Sequence, residues 1–476
     1  MQPYHKTIAE LHHDLINKKY SSVELTSLYL KRIKNLNPKI NSFITVSENI
    51  ALENAKLADQ IIQQGNASSL TGIPIAYKDN CYTKNIKTTC ASKMLANFIP
   101  TYDATTVTKL KQAGTVMLGK TNLDEFAMGS SNESSYFGPV LNPWCLDRVS
   151  GGSSGGGAAA IAARLVPAGI GSDTGGSIRQ PAAFCGITAL RPTYNLVSHY
   201  GIFELAPSLD QVGPMGRTAQ DIALILQAVA ENIPNQSITQ YSETLNTPLK
   251  NLTLGIPKEF FSVNLNTGIA LAIDEAIKNL EDLGIKIQEI SLPNSKNAIS
   301  TYHSIVATEC LHSLAKFDGK YCDEEHIKAN SIAKIRDLCF GTEVKRRLLV
   351  AGFIEFTKKN HDYYLAAQKT KDLVIADFAD VFSKVDVILS PMTTGPAFKL
   401  NEKIESPVDM YFSDMYAVSV SLAGLPALAI PIGFSEYLPV GMQLIGNYFT
   451  ENKLLNIAHQ YQKITNWHNE IPEGFD

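Results

Sequence analysis

A rhythm constrains this chain more than any other feature. From "TGIPIAYKDN" at residue 71 onward, short apolar runs bounded by Gly, Pro or Asn alternate with helical patterns: "GIPIAY", "TTVTKLKQA", "TVMLG", "AAAIAARL" and "VPAGIG" follow in turn. Apolar runs of that length read as strands, and the helical segments between them as crossovers joining strands of one sheet. The rhythm returns near the C-terminus in "VDVILSP", "LPALAIPIG" and "VGMQLIG". The expected class is therefore α/β, with the last strands completing the sheet that the first strands begin.

Two regions stand outside the rhythm. Thr7 and Ser21 each precede a Glu by three residues, the capping-box spacing, which predicts helices over 8–18 and 22–36. A third amphipathic helix follows in "ALENAKLADQIIQQ". Between 250 and 385 glycines thin out, and after "NLTLGIP" and "GIKIQEI" come long charged stretches such as "TEVKRRLLVAGFIEFTKKNHDYYLAAQKTKDLVIADF". This reads as a more helical inserted or peripheral layer on a single domain spanning 1–476.

Charge and cysteine usage exclude several functions. A formal net charge of -4 leaves no basic excess for holding nucleic acid as the main activity. The seven cysteines are scattered and contain no Cys-x-x-Cys pair, so they read as reduced thiols of a cytoplasmic protein, with neither disulfide framework nor zinc ribbon. "MQPYHKTIAELHHDL" is too charged for a signal peptide, and no window reaches the roughly 20 apolar residues of a membrane span.

The stretch "SGGSSGGGAAA", residues 150–160, carries the chemistry question. A flexible linker does not run directly into helix-favouring "AAAIAARL". A nucleotide cradle needs Gly-Lys-Ser/Thr or Gly-x-Gly-x-x-Gly after a strand, and neither is present. Gly151, Ser153 and Gly155 match the Gly-x-Ser-x-Gly nucleophile elbow, but "NPWCLDRV" before them makes a poor central strand. The next glycine turn, "GSDTGGSIRQPAAFCG", is better suited: Ser177 follows Thr174, Gly175 and Gly176, whose amides can converge on a developing oxyanion. The base is open between histidine and lysine. His199 is the one histidine near these turns, with His303, His312, His326 and His361 far along the chain, whereas an apolar strand would carry Lys78 into the interior, where desolvation keeps an amine neutral. Asp79 would oppose that if it paired with Lys78.

In order and spacing, "GIPIAYKDN", "SGGSSGGGAAA" and "GSDTGGSIRQPAAFCG" resemble the amidase signature family. The resemblance implies that family's fold, a central mixed β-sheet flanked by helices on both faces. It also implies a Ser-Ser-Lys triad with Ser177 as nucleophile, Ser153 as bridging serine after a cis peptide bond, and Lys78 as base. The backbone amides of Thr174, Gly175 and Gly176 would form the oxyanion hole. Within that family, "KTNLDEFAMGSSNESSYFGPVLNPW", "SLDQVGPMGRTAQD", "FDGKY", "FGTEVKRR" and "SLAGLPALAIPIG" are similar to the A subunits of aspartyl/glutamyl-tRNA amidotransferases, from about residue 5 to 465. That branch implies glutamine as substrate, held by Arg347 and Asp414. It implies ammonia passed to the B subunit, which activates misacylated Glu-tRNA or Asp-tRNA with ATP and magnesium, and a small C subunit bridging the two. No cofactor or metal would reside in this chain. Gly157 stands where the family usually has serine, and Asn195 and His199 where Gly and Arg are common.

Three rival readings remain open at this level. A stand-alone amidase would keep the triad without the amino acid clamp. A penicillin-recognising serine enzyme would use "SLAK" (Ser313 to Lys316) or "SIAK" (Ser331 to Lys334), though Ser-Asp-Asn and Lys-Thr-Gly are both missing. A scaffold would have no use for an intact Lys78, Ser153 and Ser177.

Overall fold

The computed structural model describes residues 2–232, 240–261, 265–322, 331–356, 360–404 and 406–476. One half of its main sheet is built from β1 (Phe43–Val46), β2 (Pro74–Lys78), β3 (Val116–Thr121), β6 (Ala168–Asp173), β7 (Thr188–Arg191) and β8 (Gln211–Gly216). The other half holds β9 (Thr253–Pro257), β10 (Lys286–Ile290) and β11 (Val387–Pro391), and the hairpin of β12 (Ala427–Ser435) and β13 (Leu438–Gly446) lies between the halves. The order is β1-β3-β2-β6-β8-β7-β12-β13-β11-β9-β10, eleven strands in all. The sheet is mixed: β2 runs parallel to β3 and β6, β9 runs parallel to β10 and β11, and the other neighbours are antiparallel. β4 (Leu141–Asn142) and β5 (Cys145–Val149) pair only with each other.

Both faces of this sheet are covered, and the alternation of side chains along a strand shows it. In β11, Val387 and Leu389 enter the main core, while Ile388 enters a second cluster with Val374, Phe378 and Tyr416. β13 divides likewise, Leu444 to the first and Ile445 to the second. Segments buried on both sides need apolar residues at nearly every position, which is why the strands read as continuous apolar runs.

The N-terminal helices form where their caps predict. Ile8–Ile16 and Ser22–Ile40 both carry complete capping boxes, from Thr7 and Glu10 and from Ser21 and Glu24. The second runs four residues past its expected end, through Pro38, because Ile40 is fully buried; Asn41 in the left-handed conformation then stops it. Residues 250–385 contribute more than helices. The helix Thr267–Asp282 links β9 to its parallel neighbour β10, extending the sheet at its far edge, and Ala298–Ala315, Thr342–Phe356 and Asn360–Phe382 pack on one another beyond it.

One expectation is corrected. Cys322 and Cys339 are joined in a disulfide, while Cys81, Cys90, Cys145, Cys185 and Cys310 are free. Seventeen residues separate the pair in sequence, and only the fold brings their buried side chains together. Among the described residues no helix is long and apolar enough to cross a membrane.

Candidate active site

Parallel strands end on the same edge of a sheet, and β2 and β6 each deliver site residues there. Lys78 is the last residue of β2; Ser172 and Asp173 end β6. Lys78 is 1% exposed, and its Nζ lies 2.8 Å from Ser153 Oγ, 2.9 Å from Ser172 Oγ and 3.3 Å from the Ser172 carbonyl oxygen. All three partners are oxygens to which the lysine donates, and none of them is a carboxylate that would fix its charge. Burial lowers the Lys78 pKa to about 8, against the pull of Cys81, Asp124, Asp210 and Asp173. Asp79 does not pair with it. The carboxylate of Asp79 goes instead to Lys120, at 3.2 Å, and to Thr89.

Ser153 is fully buried after a cis peptide bond from Gly152. The glycines before it are required by close approach: a Cβ on Gly152 would stand 2.0 Å from Asp124 Oδ2, and Gly151 has φ +79°. Gly157 differs. A Cβ there would come no nearer than 3.3 Å to any atom, the nearest being the flexible Met215 Sδ, so the close approach seen at Gly152 does not apply. The helix Gly155–Ala162 then begins, buried along its whole length. β5 precedes the Gly-x-Ser-x-Gly match but lies outside the main sheet, so the elbow geometry is not formed.

Ser177 sits beside this floor, 8% exposed, its carbonyl accepting from the Ser154 amide at 3.1 Å. The turn that carries it is organised by Asp173, whose carboxylate accepts from the amides of Gly176 (2.9 Å) and Ile178 (3.2 Å). Arg179 and Arg191 add two buried cations to the same carboxylate and hold it well below the usual carboxylate range despite its burial. Arg179 continues to Gln443 Oε1 on β13 at 2.9 Å. The Gly176 amide is thus committed to Asp173. Among the described residues no protein acceptor takes the amides of Thr174, Gly175 or Ser177 itself.

Helices press onto the turn at its glycines. A Cβ on Gly175 would meet the Tyr302 ring at 2.5 Å; one on Gly176, where φ is +122°, would meet Ala417 Cβ at 2.6 Å with Asp414 Oδ1 at 3.8 Å. Asp414 accepts from the Ser130 hydroxyl, and burial pushes its pKa up to about 7, with Ser130 and Arg347 pulling the other way. Arg347, on the helix Thr342–Phe356, donates through Nε to Glu343 at 2.9 Å and lies 5.9 Å over the Tyr411 ring. Burial works against its charge, yet Glu343 foremost holds the guanidinium pKa above its ordinary value. A cavity of about 340 Å³, lined in part by Ser130, Ser131, Glu343, Arg346, Lys403 and Tyr411, opens between these elements.

Among the described residues no histidine hydrogen-bonds Lys78, Ser153 or Ser177. His199 contacts Gln211 and Glu204, and His303 packs on Tyr411 at 3.9 Å, where burial lowers its pKa to about 3. His312 bonds the Thr308 carbonyl on its own helix; His326 lies outside the described residues, as does the His361 side chain. Ser331 caps a helix, and Lys316 lies over the rings of Phe203 and Phe317. Sequence reasoning missed Asp173, Arg179, Arg191 and Tyr302. Charged residues set in the glycine- and alanine-rich segment 169–191 were the available signal for the first three.

Comparisons with known proteins agree over nearly the whole length. The family described as Amidase matches residues 24–455. The A subunit of a glutamyl-tRNA(Gln) amidotransferase from Nitrosococcus oceani is 52% identical over 99% of this chain and 100% of its own. Its counterpart from Coxiella burnetii is 53% identical over 99% of each. The crystal structure of the glutamyl-tRNA(Gln) amidotransferase A subunit from Thermotoga maritima superposes with a TM-score of 0.83 at 35% identity, covering 99% of this chain and 98% of that one.

Proposed function

Because this chain belongs to the amidase family, we propose that it hydrolyses the side-chain amide of glutamine with a Ser-Ser-Lys triad and supplies the ammonia to a tRNA-dependent amidotransferase. The observation that carries the reading is the contact of buried Lys78 with Ser153, with Ser177 on the adjoining loop and the Asp414 carboxylate beside the same turn.

Glutamine carries an ammonium and a carboxylate on one carbon, so a selective site offers it one group of each sign. Asp414 receives the ammonium and Arg347 the carboxylate, which directs the side-chain amide to Ser177. Ser177 Oγ attacks the amide carbon as its proton passes to Ser153 and the Ser153 proton passes to Lys78 Nζ. The oxyanion is held by the amides of Thr174, Gly175 and Ser177, with Gly176 serving the turn through Asp173. Collapse breaks the C–N bond, a proton returns along the same relay to nitrogen, and ammonia leaves. Water then hydrolyses the glutamyl ester, with Lys78 again accepting the proton.

Ammonia is a base that water protonates, so it has to reach its acceptor through a protected path. The acceptor site belongs to the partner B subunit, which activates Glu-tRNA(Gln) or Asp-tRNA(Asn) using ATP and magnesium; the C subunit joins the two. The near-neutral charge of this chain suits an arrangement in which tRNA rests on the partner.

The test is intact mass and peptide mapping after exposure to a chloroketone analogue of glutamine. A single adduct on Ser177 that glutamine competes away is expected. An adduct that glutamine leaves untouched points to a different amide substrate, and an adduct on Ser153 removes Ser177 as nucleophile.

A further inference from the structure

One loop touches both halves of the site, and it contains a buried carboxylate that the chemistry above does not use. Glu125 is 2% exposed. Its carboxylate accepts from the Ser92 hydroxyl and, at 2.7 Å, from the backbone N–H of Gly341. Gly341 begins the helix Thr342–Phe356, its carbonyl taking the first bond from the Lys345 amide. A Cβ on Gly341 would stand 2.4 Å from Glu125 Oε2, so the carboxylate fills the space a side chain would need. Next to this contact Phe126 packs on Phe340, ring centroids 5.7 Å apart.

The same helix presents Glu343 and Arg347, which are paired with each other. On its other side the loop reaches the triad and the second clamp residue: the Asp124 amide bonds the Ser153 carbonyl at 3.2 Å, and Ser130 bonds Asp414. We infer that Glu125 is a positioning residue for glutamine recognition, holding Gly341 so that the helix keeps Arg347 at the height where it meets the substrate carboxylate. The inference rests on the reading of Arg347 as clamp.

Helix geometry makes this anchor effective. Six residues from Gly341 to Arg347 span about 9 Å along the axis, so a small slide or tilt at the start displaces the guanidinium directly. A carboxylate at a helix N-terminus is also well placed for the helix dipole. Stability alone would be better served by an apolar filler, because a buried carboxylate loses its hydration; burial accordingly pushes the Glu125 pKa up to about 7.

The experiment is steady-state glutamine hydrolysis by the full chain with its partner subunits, comparing Glu125→Ala, Glu125→Gln, Arg347→Ala and the double variant Glu125→Ala with Arg347→Ala. Glu125→Ala is expected to raise KM about 5- to 20-fold with a much smaller change in kcat, and the double variant to be no worse than Arg347→Ala, as coupled residues require. Glu125→Gln is expected to stay near the parent, since its amide oxygen still accepts from Gly341 and its NH₂ donates to Ser92. Effects that multiply in the double variant, or a fall in kcat at unchanged KM, overturn the inference. A KM that Arg347→Ala does not move overturns the clamp reading first and this one with it. Should Glu125→Ala fail to fold, Gly341→Ala carries the same test: KM must rise while Ser177 remains open to labelling.

Discussion

Lys78 and Arg347 are both buried cations, and the fold treats them in opposite ways. Lys78 ends a central strand among hydroxyls and a carbonyl, its neighbour Asp79 drawn off by Lys120. Desolvation therefore wins, and the amine is poised to lose its proton. Arg347 sits on a peripheral helix with Glu343 at 2.9 Å, and Glu343 together with Tyr411 and Tyr302 outweighs the cost of burial. A base has to be able to shed its charge, whereas a clamp for a carboxylate has to keep it. Burial alone decides neither; the presence of a countercharge does.

The contrast can be broken in three places. The largest effect is expected from Ser177→Ala, which should lower glutamine-dependent amidation by about 10⁴-fold or more while leaving amidation from added ammonium salts unchanged in the assembled complex. Loss of both activities would make Ser177 structural. Arg347→Ala should act on the other region alone, raising KM for glutamine about 10- to 100-fold, the range for a lost hydrogen bond to a charged group, with kcat much less affected. An equal fall in kcat would mean that the clamp and the triad are not separable.

The third test is the pH profile. Lys78 acts as base only when deprotonated, so kcat/KM should climb with pH and level off above about 8. Asp414 binds the ammonium of glutamine only when ionised, so KM should also rise as pH falls through about 7. Substituting Asp414→Asn should remove the KM component and leave the kcat component in place. A kcat flat across that range would exclude Lys78 as the titrating base.

The sequence made the core of the site readable because its constraints are local. Gly151 and Gly152 mark a backbone packed too closely for side chains, and an apolar strand ending in lysine made Lys78 a candidate base, which family resemblance then chose over histidine together with Ser153 as the bridge. β2, β3, β6, β11, β12 and β13 were legible for a similar reason, as apolar runs between breakers. What stayed hidden depends on long-range meetings. Asp173 gains its meaning only when Arg191 arrives from β7, and Tyr302 only when its helix lies against Gly175. The disulfide partners are likewise undetermined by spacing. Arg347 and Asp414 look like ordinary surface charges in sequence, and family resemblance rather than residue chemistry singled them out.

The position of the β12–β13 hairpin sets an order of events during synthesis. It is made long after the strand and loops that bear the triad, yet it lies in the middle of the sheet, joining their half to the half formed by β9, β10 and β11. Through Gln443 it also grips Arg179, which steadies Asp173 and so the turn of the nucleophile. A nascent chain emerging from the ribosome with Lys78, Ser153 and Ser177 already complete still lacks the strand that locks them. A chain cut before Ala427 would keep all three of those residues and lose the Gln443 contact through which the middle of the sheet steadies Arg179, Asp173 and the Ser177 turn.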